Sequence, residues 1–214
     1  MIIFDMDGTL WDTTLVTYEA ANEIVSNYDE LKPISMEQII GGMGLNIEEV
    51  SKKYMPYIDL DKACKYELEI IKKNLEIIDE KGANIYDGVL DVIRKLSQKY
   101  KLGIITNNKD EYVESFFKTS NLKEYFADYI GTASYNITKA DAIKIMVNRN
   151  NAMNNFYVGD IDKDMQAATE AGVGFIHARY GFGHDVDAKY YIDKFTDLEE
   201  LLDGIILWEN GMKK

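Results

Sequence analysis

The sequence predicts an α/β fold: a doubly wound, Rossmann-like parallel sheet with a small all-α unit inserted after the first strand. Three observations carry this expectation. A short apolar run opens the chain, strand-like runs then vanish between residues 12 and 82, and beyond residue 82 short apolar runs alternate with longer stretches of helical spacing. Such alternation points to parallel strands, because a parallel pair needs a long crossover connection and a helix supplies it.

Taken in order, the first run is residues 1–4, and it leads directly into Asp5-Met6-Asp7-Gly8-Thr9-Leu10. From 12 to 82 long polar–apolar helical patterns dominate. The clearest covers 64–78, with Leu68, Ile71, Leu75 and Ile78 on one stripe and Glu and Lys elsewhere. Gly41-Gly42-Met43-Gly44 lies between helical patterns, as a loop or hinge. The expected division is a core of 1–11 and 83–214 and a helical unit of 12–82, tethered by two linkers and able to hinge. Further runs at 102–105, 129–130, 156–158 and 173–177, with a weaker one at 190–192, are each too short for a helix. Helical spacing fills 110–120, 138–150 and 162–171; Val113, Phe116 and Phe117 illustrate it in the first. In folds of this type ligands bind just beyond the carboxyl ends of the strands.

Composition narrows the function classes. With 214 residues, 46% of them hydrophobic and only 2 prolines, the chain has the make-up of a folded globule, and disordered or collagen-like readings drop out. Lys and Arg number 24 against 37 Asp and Glu, a net charge of −13 that disfavours nucleic acid and anionic membrane as partners. A small anionic substrate then requires a divalent cation or a local lysine to reverse the field where it binds. Cys64 is the single cysteine, so neither an internal disulfide nor a cysteine-based zinc site is expected. No secretory leader is legible at the N-terminus, and no window approaches the ~18 apolar residues of a membrane span, so a cytoplasmic location is expected.

The chemistry lies at the strand ends. Asp5 and Asp7 follow the first strand, and period two in an extended chain would send both carboxyls to one side. Two like charges so close call for a hard cation or protonation of one partner. An acidic turn that simply ends a strand is the alternative for an isolated match of this kind. Thr106-Asn107-Asn108 ends the run at 102–105, offering a hydroxyl and amide donors for an anion or simply a helix cap. Lys139 sits at the start of the helix at 138–150, where its charge opposes the helix dipole unless an anion is nearby; a solvated surface lysine is the alternative. The run at 156–158 ends in Gly159-Asp160-Ile161-Asp162-Lys163-Asp164.

These residues, in this order, resemble the four motifs of the haloacid dehalogenase superfamily of aspartate-nucleophile phosphohydrolases, and the resemblance spans essentially the whole chain. Asp5 to Leu10 resembles the first motif, Thr106 the second, Lys139 the third, and Gly159-Asp160 with Asp164 the fourth. The helical insert is similar to the α-helical cap of the branch that includes phosphoglycolate phosphatases and β-phosphoglucomutases. The resemblance implies Asp5 as nucleophile, Asp7 as acid and base, and Thr106, Asn107 and Lys139 as the phosphate-binding set. It implies a Mg²⁺ held by Asp5, Asp160 and the backbone carbonyl of Asp7, with Asp164 reaching it through water or orienting its neighbours. Gly42, Met43 and Gly44 resemble the substrate loop of the cap.

The implied activity is Mg²⁺-dependent hydrolysis of a small phosphorylated metabolite, phosphoglycolate-like or a sugar phosphate, by a monomer or weak homodimer. A β-phosphoglucomutase-type phosphomutase shares every core residue and is the alternative; a catalytically idle binding module on the same fold is the alternative from another class. A halide-releasing enzyme is disfavoured, because it would need neither Asp7 nor the metal set. Close relatives often follow the third-motif lysine with proline, whereas Ala140 stands here, so Lys109 and Lys144 are competitors for that role. Asp162 is expected to face solvent, Tyr54, Tyr57 and Tyr66 to pack in the cap, and His177 and His184 to take no catalytic part.

Overall fold

The computed structural model describes residues 1–212, with side chains described through Ile205. The chain opens with β1 (Ile2–Phe4) and β2 (Trp11–Asp12), and continues through four helices: α1 (Thr14–Val25), α2 (Met36–Ile40), α3 (Ile47–Tyr54) and α4 (Leu60–Lys81). A second short strand, β3 (Asn84–Ile85), returns the chain to the sheet region. There follow α5 (Val89–Ser97), β4 (Leu102–Thr106), α6 (Asp110–Ser120), β5 (Asp128–Gly131), α7 (Thr132–Tyr135) and α8 (Lys139–Arg149). The last elements are β6 (Phe156–Gly159), α9 (Asp162–Ala171), β7 (Gly174–Ala178), β8 (Tyr190–Ile192) and α10 (Leu198–Met212).

Six strands form one parallel sheet in the order β5-β4-β1-β6-β7-β8. The chain lays β4 and β5 on one side of β1 and then reverses to build β6, β7 and β8 on the other. In open α/β sheets such a reversal of strand order marks where ligands bind, here at the carboxyl ends of β1, β4 and β6. Alternation along the strands decides which helices cover which face. Ile2, Phe4, Ile104 and Val158 join the cluster that includes Val92 and Ile93 of α5, Phe116 of α6 and Leu202 of α10. Ile3, Ile105 and Tyr157 point the other way, to Ile143 and Met146 of α8 and Ala168 of α9. Both faces of the central strands β1 and β6 are therefore buried, which is why these two read as unbroken apolar runs.

The insert has a hydrophobic cluster of its own, including Ala21, Leu31, Ile39, Val50, Tyr54, Met55 and Ile70. Its entry and exit are paired: β2 and β3 form a two-residue antiparallel ribbon, Trp11 opposite Ile85 and Asp12 opposite Asn84. Two expectations are corrected here. The inward face of α4 is Ala63, Tyr66, Glu67, Ile70, Asn74, Ile77 and Ile78, so Ile78 of the anticipated stripe is buried while Leu68 is 49% exposed. The stripe holds where Leu75 and Ile78 pack on the core and fails at Leu68, because α4 packs on α1 partly through polar groups, Asn74 Nδ2 donating to Thr17 Oγ1 at 3.0 Å, and apolar spacing does not register such a face. Tyr54 and Tyr66 are buried as expected, but Tyr57 is 41% exposed and accepts from the Lys32 backbone N–H at 2.8 Å. Helix α5 is absent from the expectations above, although Val89, Val92, Ile93 and Leu96 have helical spacing and are all buried. Among the described residues no helix is long and apolar enough to cross a membrane.

Candidate active site

Asp5 is the first residue beyond β1, and its backbone N–H still bonds to Val158 O at 2.8 Å, which ties it to the neighbouring β6. The chain then turns sharply. The backbone N–H groups of Thr9, Leu10 and Trp11 all point to Met6 O, and Gly8 takes φ +82°. A Cβ at Gly8 would lie 2.1 Å from Asp160 Oδ2, so only glycine allows the turn and the fourth-motif acid to occupy the same corner.

Lys139, the first residue of α8, is buried and bridges two acids, its Nζ lying 2.8 Å from Asp5 Oδ1 and 2.7 Å from Asp164 Oδ1. These acids answer the unfavourable placement of a cation at a helix start. Burial works against the lysine's charge, but Asp164 and Asp5 outweigh it and hold the ammonium well above its usual range. Lys109 is exposed and Lys144 pairs with Glu170 on the surface, so neither competes for this position.

Asp164 is fully buried in the first turn of α9 and accepts from the backbone N–H groups of Asp160 at 3.1 Å and Ile161 at 3.3 Å. Asp160 Oδ2 accepts from Phe182 N at 2.7 Å, and its carbonyl meets His177 Nε2 at 3.0 Å. His177 thus braces the loop, a part its sequence context did not suggest. Asp162 is exposed, as expected, and Arg179 turns away to Asp193 at 3.2 Å and to the ring of Tyr191.

One carboxylate oxygen from each of Asp5, Asp160 and Asp164 lies within 4.8 Å of the other two. Burial raises Asp160 well above the ordinary carboxylate range, with Asp164 and Asp5 adding to the effect. Burial also pushes Asp5 up to about 7, although Lys139 opposes it. A hard divalent cation fits this donor set: the oxygens are convergent, and a positive charge among them would restore both acids to the anionic form.

The carboxyl of Asp7 does not belong to that trio. Period two fails beyond Phe4 because the chain leaves the extended form, and the Asp7 side chain turns to another set of partners. Its Oδ1 accepts from Thr13 Oγ1 and Tyr112 OH, both at 2.7 Å, and Asn108 Nδ2 lies 3.4 Å from its Oδ2. Burial raises Asp7, and the Tyr112 and Thr13 hydroxyls pull against that rise. Thr106 is buried at the end of β4, its Oγ1 accepting from Asn108 N at 3.2 Å and so keeping its own proton to donate. Asn107 reaches across to the insert, its Nδ2 donating to Gly44 O at 2.8 Å. Of the anticipated loop, Gly44 therefore touches the core, whereas Met43 packs against the insert's own cluster. Tyr112 and Thr13 were not anticipated. Tyr112 occupies a core-facing position of α6, and apolar spacing says nothing of what a hydroxyl reaches.

The model of the haloacid dehalogenase-like hydrolase family matches residues 2–178 of the chain. A phosphoglycolate phosphatase of Pseudomonas putida is 24% identical over 215 residues, covering 95% of this chain and 79% of the relative. The pyrophosphatase PpaX of Listeria innocua is 25% identical over 207 residues, covering 92% of this chain and 93% of that protein. The crystal structure of a predicted phosphoglycolate phosphatase from Haemophilus somnus superposes with a TM-score of 0.83 at 18% identity, covering 94% of this chain and 97% of the other.

Proposed function

The chain belongs to the haloacid dehalogenase-like hydrolase family, and on that premise we propose that it is a Mg²⁺-dependent phosphatase of small phosphorylated metabolites. The observation that carries the reading is the environment of Asp5: a buried carboxylate at the carboxyl end of the central strand, held by Lys139 and flanked by Asp160 and Asp164. A nucleophile needs a defined direction and a neutralised neighbourhood, and Lys139 supplies both.

Asp5 attacks phosphorus through one oxygen, the new O–P bond forming as the bond to the leaving oxygen breaks. Asp7 gives its proton to that leaving oxygen. Water then attacks the aspartyl phosphate, Asp7 takes the water's proton, and phosphate leaves with Asp5 restored. Thr106 and Lys139 hold the phosphoryl oxygens as their charge redistributes. Mg²⁺, held by Asp5, Asp160 and the backbone carbonyl of Asp7, with Asp164 orienting the set, would supply electrostatic neutralisation of the phosphoryl group.

Phosphoglycolate is the first substrate to test, because relatives along nearly the full chain carry that name, and pyrophosphate is the second because PpaX is named a pyrophosphatase. Hydrolysis of p-nitrophenyl phosphate with Mg²⁺ is expected to fall by about a thousandfold or more in Asp5→Asn and to vanish with EDTA, since no other group replaces the nucleophile. Equal rates in wild type and Asp5→Asn would overturn the reading.

A further inference from the structure

The two shortest hydrogen bonds to the Asp7 carboxyl converge on one oxygen. Thr13 Oγ1 and Tyr112 OH each lie 2.7 Å from Oδ1 and 3.2 Å from one another. Each hydroxyl has a single proton, so the arrangement that satisfies a buried acid is both protons directed to Oδ1. The contact between the two hydroxyls is then proximity rather than a third bond. Oδ2 has no hydroxyl donor: Asn108 Nδ2, in the loop that follows Thr106, lies 3.4 Å from it, and the Trp11 indole N–H is a further, weaker influence on the carboxyl.

Tyr112 reaches this position from α6. It lies in the first turn of that helix, beyond the carboxyl end of β4, and is 4% exposed. Its ring packs edge-on against Trp11 with centroids 5.2 Å apart, and Trp11 packs in the same manner on Phe116. A phenylalanine would meet every one of these packing demands. The hydroxyl adds only a polar group that must find a partner when buried, and the partner it finds is Asp7.

We propose that Tyr112 is a positioning residue for the phosphatase reaction: by donating to Oδ1 it holds the Asp7 carboxyl in one orientation and leaves Oδ2 as the oxygen that exchanges a proton with the substrate. The inference rests on the phosphatase reading above. In the first step the proton on Oδ2 passes to the leaving oxygen as the P–O bond breaks and the Asp5–phosphorus bond forms. The electron pair of the broken bond stays on the leaving oxygen and becomes its O–H bond. In the second step Oδ2 recovers a proton from the attacking water. Asp7 is unchanged over the cycle, and Tyr112 keeps its proton throughout.

A poor leaving group needs that proton and a good one does not, so the test is leaving-group dependence. The rate constant kcat/KM, which covers steps only through transfer to Asp5, is measured with saturating Mg²⁺ for phenyl phosphate and 2,4-dinitrophenyl phosphate. Tyr112→Phe is expected to lose about tenfold or more with phenyl phosphate and less than about threefold with the dinitrophenyl ester, as loss of aimed general acid catalysis requires. Phe116→Leu loosens the packing behind Trp11 but keeps both the Tyr112 hydroxyl and the indole N–H beside Asp7, and is expected to leave the ratio of the two substrates at its wild-type value. Equal losses on both esters in Tyr112→Phe, no loss on either, or the same change of ratio in Phe116→Leu would overturn the assignment. Should Tyr112→Phe not fold, the ratio is read in Thr13→Val, which removes the other donor to the same oxygen; an unmoved ratio there also counts against it. If wild type hydrolyses neither ester, or Asp5→Asn matches it, the phosphatase reading itself fails and takes this inference with it.

Discussion

Glu67 of α4 has nowhere to place a negative charge. It is 5% exposed, its Oε2 has no hydrogen-bond partner, and burial pushes its carboxyl from 4.5 up to about 8. Between those two pH values the folded chain keeps a proton that the unfolded chain has released. Fewer protons on the unfolded state means that stability falls as pH rises, by up to ~1.4 kcal/mol per unit across the window. Glu67→Gln is therefore expected to match wild type near pH 4 and to exceed it in thermal midpoint at pH 8, by calorimetry; parallel curves for the two proteins would refute the assignment. The residue lay within the helical pattern at 64–78, but a glutamate there reads as solvated surface. Asp5, Asp160 and Lys139 were legible as chemical groups at strand ends. Their contacts were not, because Lys139 and Asp5 are separated by 134 residues and Tyr112 and Asp7 by 105.

At the scale of elements, the insert meets the core at a few defined points. Asn107 donates to Gly44 O, Lys163 of α9 pairs with Glu49 of α3 at 2.5 Å, and Asp79 of α4 accepts from Ser115 of α6 at 2.8 Å. Gly44 lies at one of these contacts and has no room for a side chain. It has φ +74°, and a Cβ there would come within 2.8 Å of Ile161 Cδ1. Gly44→Ala carries a left-handed backbone penalty of roughly 1–2 kcal/mol. Because φ +74° belongs to the arrangement that brings Gly44 O to Asn107, kcat/KM should drop roughly five- to thirtyfold, with a fall in thermal midpoint of only a few degrees. An unaltered kcat/KM would mean that this loop does not shape the site. Lys163→Gln removes only an exposed ion pair, worth ~0–1 kcal/mol, and its effect should stay under about fivefold. The helical character of 12–82 was legible, as was the turn that holds Gly41 to Gly44 between α2 and α3; the β2–β3 ribbon escaped because two-residue strands carry no period to read.

Over the whole molecule, the three acids within 4.8 Å form a place where a bound cation stabilises the native state alone, since the unfolded chain cannot assemble them. Mg²⁺ at about a hundred times its Kd should add ~2.7 kcal/mol. For a chain of this size that is a rise in thermal midpoint of roughly 5–10 °C. Asp160→Asn is expected to lose most of the rise; a full response in the variant would place the cation elsewhere. The sequence alone determined the alternation of strands and helices, the helical character of the insert, and the strand ends where polar chemistry gathers, because periodicity and composition act over a few residues. Tertiary structure alone decided the reversal of strand order at β1, the lysine between two acids, the separate hold on Asp7 and the reach of Asn107 to Gly44. Those depend on which distant segments share a packed face, and local spacing is indifferent to that.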